Sequence, residues 1–96
     1  MNERMQYVKT MDRQLSEWEE TIERLRQKLH DVPADRRTQL SEQIDFLESA
    51  KGKLKTHVES IRAFSEDRWK QTKISVERAQ HELETGLKGL MENLES

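Results

Sequence analysis

The stretch VKTMDRQLSEWEETIERLRQKLHDV, residues 8–32, decides the fold of this chain. Its apolar side chains recur at alternating steps of three and four residues, at Val8, Met11, Leu15, Trp18, Ile22, Leu25, Leu29 and Val32. This spacing fills every a and d position of a heptad repeat, which predicts an amphipathic helix that buries one narrow stripe against other helices. The sequence therefore predicts a first helix over about residues 2–30.

The clearest break in the pattern is DVPAD, residues 31–35, which predicts a turn. Pro33 lacks a backbone N–H donor and would clash with a preceding helical turn, so the first helix must end just before it. Pro33 and Asp35 both suit the first turn of the next helix. Because the connection is short, the second helix should fold back antiparallel on the first, as a helical hairpin.

The apolar stripe continues through the second half of the chain, with one change of phase. It runs through Leu40, Ile44, Leu47, Lys51, Leu54, Val58 and Ile61, and then through Trp69, Thr72, Val76, Ala79, Leu83, Gly86 and Leu90. Ile61 and Trp69 are eight residues apart instead of seven. One helix over about residues 35–94 could absorb this slip, or the chain could break at residues 64–67, with Ser65 capping a third helix.

Residues 63–68 contain no glycine or proline, which favours the continuous helix. Such a helix would be about 90 Å long and would overhang its partner. The expected fold is thus all-α: a single domain over residues 1–96, built as an antiparallel coiled-coil hairpin with a long second helix. The alternative is a closed three-helix bundle.

Composition restricts the classes of function. Hydrophobic residues make up 32% of the chain, too few for the apolar pocket of an ordinary globular enzyme. The 17 basic and 19 acidic residues are mixed along the chain, without the basic block that nucleic-acid binding requires. Cysteine is absent, the N-terminus lacks the apolar segment of a secretory signal, and no apolar run could span a bilayer. A cytoplasmic protein is expected.

No constellation of catalytic or metal-ligating residues stands out. Glu77 and His81 share a helical face with Glu84, but their heptad positions place them on the solvent side, as exposed residues. The di-iron motif of helical bundles needs an inward Glu-x-x-His, and this chain has Glu-x-x-x-His. His30 and His57 are likewise expected to be solvated. The sequence therefore predicts no catalytic residue, no cofactor-binding residue and no metal site.

Several residues on or beside the apolar stripe carry expectations of their own. Trp18 and Trp69 are expected to anchor the core. Phe46 lies just off the stripe, where it could widen the helix interface or face a partner. Gly86 and Gly89 could fray the last helix or allow another helix to approach closely. Lys51 takes an a position, where a polar residue can fix register.

Several motifs resemble a group of short bacterial coiled-coil-domain proteins, some of them stress-associated or apolipoprotein-like. They are Tyr7-Val8-Lys9, Gln14-Leu15-Ser16-Glu17-Trp18, Gln43-Ile44, Ser65-x-x-x-Trp69-Lys70 and Val76-Glu77-x-Ala79 to Glu82-Leu83. Members often carry a glycine where this chain has Glu66 and a second tryptophan where it has Gln80. The resemblance implies a helical, stress-linked interaction protein and transfers no site residues.

The expected function is that of a non-catalytic coiled coil acting through self-association or through docking of a helical partner. A homodimer is favoured because an overhanging apolar stripe would need a second chain to cover it. The alternative is an amphipathic helix that binds lipid or granule surfaces. The mixed charge of the polar face and the narrow stripe speak against that alternative.

Overall fold

The structure is a computed structural model that describes residues 2–95. Its three helices are α1 (Glu3–Lys28), α2 (Ala34–Ile61) and α3 (Glu66–Glu95), and a short 3-10 turn at Leu29–Asp31 follows α1. No strand occurs among these residues. The predicted all-α fold and the hairpin formed by its first two helices are confirmed.

The first reversal lies where Pro33 predicts it. Pro33 is the residue before α2, and its carbonyl accepts hydrogen bonds from the backbone N–H groups of Arg36 and Arg37, at 3.0 and 3.1 Å. The guanidinium of Arg37 also reaches back to the carbonyls of Leu29 and Val32, at 3.1 and 2.9 Å. One side chain of α2 thereby satisfies carbonyls at the end of the first helical segment, and the turn is held closed.

The preference for a continuous second helix is wrong, because α2 ends at Ile61 and a new helix begins at Glu66. Hydrogen bonds from residue i to i−3 at Arg62, Ala63 and Phe64 tighten the last turn of α2. Ser65 then caps α3: its Oγ accepts from the backbone N–H of Arg68 at 3.3 Å. None of the described residues has a positive φ, so this reversal has no need of glycine.

Three ion pairs show the directions of the helices: Arg26–Asp45, Arg62–Asp12 and Arg4–Glu66. The first two pairs make α2 antiparallel to α1, and the third places the start of α3 beside the start of α1. The chain therefore closes into a bundle with extents of 50 × 18 × 18 Å. The overhang that a 90 Å helix would have left does not exist.

The core is formed by the three apolar stripes facing one another. Its buried members are Val8, Met11, Leu15, Trp18, Ile22, Leu25, Leu40, Ile44, Leu47, Leu54, Val58, Ile61, Trp69, Val76, Leu83, Leu87 and Leu90. In α3 the predicted stripe residues Thr72, Ala79 and Gly86 are only partly buried, and Leu87 completes the core instead.

Lys51 is the charged residue of the predicted stripe, and it pairs with Glu19 of α1. The Lys51 side chain is 14% exposed, against 43% for Glu19. Burial lowers the pKa of Lys51, and the neighbouring Lys55 lowers it further. The ion pair thus fixes the register of α1 against α2 at a cost in desolvation.

Replacing Lys51 with methionine and Glu19 with leucine in one double variant should raise the free energy of unfolding by about 1 kcal/mol, because the desolvation cost disappears and no unpaired charge is left behind. Urea unfolding followed by circular dichroism measures the change. The matched variant Glu19→Ala leaves Lys51 unpaired and should lower stability. A double variant that is less stable than the wild type would show that the ion pair is net stabilising.

Replacing Ser65 with alanine should lower the free energy of unfolding by about 1 kcal/mol, because the Arg68 N–H loses its capping acceptor. Ser75, which is exposed inside α3, supplies the control. There alanine should be neutral or slightly stabilising, since it is the better helix former. Equal effects in thermal unfolding at the two serines would argue against the cap.

Candidate functional site

Ion pairs between α1 and α2 bridge the groove between these two helices. Besides the Lys51–Glu19 pair, Arg26 contacts both Asp45, at 3.0 Å, and Glu48. The pKa of Arg26 is raised by its hydrogen bonds to Glu48 and Asp45. Residues of both signs face each other along this groove, so it offers a partner little net charge and little apolar surface.

The beginning of the groove between α1 and α3 is filled by an aromatic cluster. The ring centroids of Tyr7 and Trp69 are 6.0 Å apart. Lys73 Nζ lies 5.2 Å from the Tyr7 ring centroid and 5.9 Å from that of Trp69. Arg4 covers Trp69 from 5.9 Å and pairs with Glu66 at 3.2 Å. A cation over an aromatic face is an attractive contact, so these contacts stabilise the packing of α1 against α3.

The titratable groups of this cluster are perturbed by packing. Burial, with a smaller contribution from Glu77, raises the pKa of Tyr7 to about 12, so the phenol stays neutral at physiological pH. The pKa of Glu66 is lowered, first by the indole N–H of Trp69 and then by Lys70 and Arg4. The indole nitrogen faces this carboxylate without completing a hydrogen bond of standard geometry. These shifts favour an anchoring role over acid–base chemistry.

The groove between α2 and α3 is different, and it is the candidate functional site. Among the side chains described, those of residues 2–94, no ion pair joins these two helices. A cavity of about 630 Å³ lies between them. It is lined by Gln39, Glu42, Gln43, Phe46, Leu47, Glu82, Thr85, Gly86, Gly89, Leu90 and Asn93. We call it the α2–α3 groove.

Phe46 stands on the α2 wall of this groove with 73% of its surface exposed. Only two other large apolar residues in the described chain are exposed, Met5 at 39% and Ile74 at 64%, and neither lines the groove. Leu47 and Leu90 form an apolar floor beside the Phe46 ring. The structure thus resolves one alternative left open by the sequence: Phe46 does not widen the helix interface but faces outward.

The two glycines of α3 have different environments. A Cβ atom on Gly86 would lie 2.7 Å from Cδ2 of Leu47, so the missing side chain is what allows α2 and α3 to approach. A Cβ atom on Gly89 would meet nothing within 4 Å. Packing therefore explains Gly86 and not Gly89. The absence of a side chain at Gly89 leaves the floor of the groove open.

The remaining candidates of the sequence lie away from this groove. His30, His57 and His81 are all exposed, as are Glu77 and Glu84. In the described part of the chain, no three potential ligands come together in a way that could hold a metal ion. Trp18 and Trp69 are buried in the core, as predicted. None of the helices over residues 2–95 is long and apolar enough to cross a membrane.

Sequence reasoning placed Phe46 off the stripe and noticed both glycines, but it did not bring them together. The link is the reversal at residues 62–65, which turns α3 back along α2 and sets Gly86 opposite Leu47. A signal for it was present: small residues recur in α3 at the heptad positions Thr72, Ala79 and Gly86. Small residues at such positions are typical of closely packed helices.

Replacing Gly89 with alanine should raise the free energy of unfolding by about 1 kcal/mol, because helix propensity improves and nothing is displaced. The same change at Gly86 forces the buried Leu47 side chain to move. We expect Gly86→Ala to be less stable than Gly89→Ala by about 1 kcal/mol in urea unfolding, the low end of the cost of overpacking, because the displaced atom is the end of a leucine side chain. Equal gains at both sites would mean that α2 and α3 do not need this close approach.

Comparison with known proteins gives no match of any kind: no family model, no curated protein sequence and no solved structure is significantly similar to the chain. The resemblance noted in the sequence motifs thus stays a prediction. The α2–α3 groove is the feature of the structure from which a function can be proposed.

Proposed function

We propose that the protein is a non-catalytic docking module that binds a helical segment of another protein in the α2–α3 groove. The observation that carries this proposal is an exposed Phe46 beside an apolar floor that no ion pair closes. In contrast, the α1–α2 groove is bridged by charges from both helices.

Two antiparallel helices packed side by side, as α2 and α3 are, leave a groove between them in which another helix can lie. A side-chain ridge of a docked helix fits between α2 and α3, as in other helix-in-groove complexes. Burying an exposed phenylalanine is worth about 1.5–3 kcal/mol, enough to make Phe46 a hot spot. The room above Gly89 accommodates a bulky apolar side chain of the partner.

The other expected modes of action have less support in this architecture. A homodimer was favoured to cover an overhanging stripe, and α3 instead packs along α2 and α1. The lipid-surface alternative needs the apolar residues of α3, and Trp69, Val76, Leu83, Leu87 and Leu90 are buried in the core. The lipid-surface mode would require the bundle to open, and the overhanging stripe that favoured a dimer is absent, whereas helix docking uses the closed bundle.

Selection of helical peptides from a displayed library tests the proposal. Peptides enriched on the wild type should carry bulky apolar residues at i, i+3 or i+4, and i+7. The Phe46→Ala variant should bind them at least tenfold more weakly, because it loses the hot-spot ring. Ile74→Ala is the matched control, since Ile74 is also exposed but lies outside the groove.

Circular dichroism should show both variants folded, because neither side chain belongs to the core. The proposal fails if no helical peptide is enriched, or if the two variants weaken binding equally. Light scattering on the same samples detects self-association. A wild-type dimer that Phe46→Ala dissociates would replace helix docking with dimerisation.

A further inference from the structure

We infer that the partner helix is cationic: a segment whose apolar ridge enters the α2–α3 groove and whose lysine or arginine residues flank that ridge. This inference rests on the proposed function and specifies the chemistry of the partner. It comes from the charges that line the groove and from their positions along its two walls.

The charged groups that line the groove are both carboxylates, Glu42 on α2 and Glu82 on α3. Neither makes an ion pair with any residue in the described part of the chain. The other polar lining residues are uncharged: Gln39, Gln43, Thr85 and Asn93. The rim is therefore acidic although the chain as a whole has a net charge of only −2.

The other grooves differ in this respect. The α1–α2 groove is lined by Asp12, Glu19 and Glu59 together with Lys51 and Lys55. The far end of the α1–α3 groove is lined by Glu84 and Glu92 together with Lys88. The lysines offset all but one of the carboxylates in each of these two grooves. A cationic ligand gains most in the α2–α3 groove, where the carboxylates have no cation of their own.

The two carboxylates also define a spacing. Leu47 lies opposite Gly86, Glu42 is five residues before Leu47, and Glu82 is four residues before Gly86 on the antiparallel helix. They are thus separated by about nine residues along the bundle, roughly 14 Å at 1.5 Å per residue. Nine residues are two and a half helical turns, so cations at i and i+9 of a docked helix lie on opposite flanks of its ridge.

The same charges disfavour two other occupants. A second copy of this chain, docked groove to groove about a twofold axis, would place the four carboxylates of Glu42 and Glu82 from the two copies in one interface without an added cation. Like charges facing each other across an interface oppose binding. An anionic lipid surface meets the same repulsion. A separate protein segment with lysine or arginine is the occupant that the groove fits.

Two designed helical peptides with the same leucine ridge test the inference. One carries lysine at positions i and i+9, and the other carries glutamate there. Fluorescence anisotropy at low salt should show the lysine peptide binding about tenfold more tightly. The preference should shrink as added salt shortens the screening length to about 3 Å near 1 M.

The double variant E42Q/E82Q should weaken binding of the lysine peptide about fivefold while leaving the glutamate peptide no weaker than on wild type. The control is E17Q/E23Q, which removes the same charge from exposed positions of α1, outside the groove. It should leave both affinities within about twofold, because distant charges are screened.

The outcomes separate this inference from the proposed function. If both peptides bind equally and Phe46→Ala weakens both, docking stands and the cationic partner is overturned. If neither peptide binds, or Phe46→Ala has no effect on binding, both proposals are overturned. If E17Q/E23Q weakens the lysine peptide as much as E42Q/E82Q does, overall charge explains the preference and the inference fails.

Discussion

The bundle depends on the mutual burial of three narrow apolar stripes, because no single helix of this chain has enough apolar surface to be stable alone. Hydrophobic residues are 32% of the sequence, and most of the large ones face the common core. Isolated helices are marginal in water, so each helix is stabilised by the two beside it. Among the described residues, Phe46 is the most exposed of the large apolar side chains left outside this core, and it lines the α2–α3 groove.

Beyond the shared core, the α1–α2 and α2–α3 interfaces are stabilised in different ways, and this difference produces the α2–α3 groove. Charged side chains of α1 and α2 reach across their interface, as Arg26 does to Asp45 and Glu48. The α2–α3 interface relies on close approach at Gly86. A residue small enough to permit this approach has too short a side chain to cover the groove between α2 and α3. The groove is thus a consequence of how α3 packs, and the open position at Gly89 extends it.

The heptad spacing was enough to predict the all-α class and every buried residue of α1, and Pro33 was enough to predict the first reversal. It could not place the second reversal, because the usual signal is a glycine or proline. Here α2 ends at Ile61 and Ser65 caps the next helix without a positive φ, so neither residue is required. The α2–α3 groove could not be predicted from the sequence for the same reason. Phe46 and Gly89 are 43 residues apart in sequence, and only that reversal brings them to one surface.

The docking surface that we propose must be limited in area on so small a bundle, since the core already contains most of the apolar side chains. Interfaces that bury less than about 1,200 Å² are typical of weak and transient complexes. In such complexes one well-placed aromatic residue and the local charge decide which partner is bound. Phe46 supplies the first, and Glu42 with Glu82 supplies the second. The geometry therefore favours rapid, salt-sensitive and reversible recognition over permanent assembly.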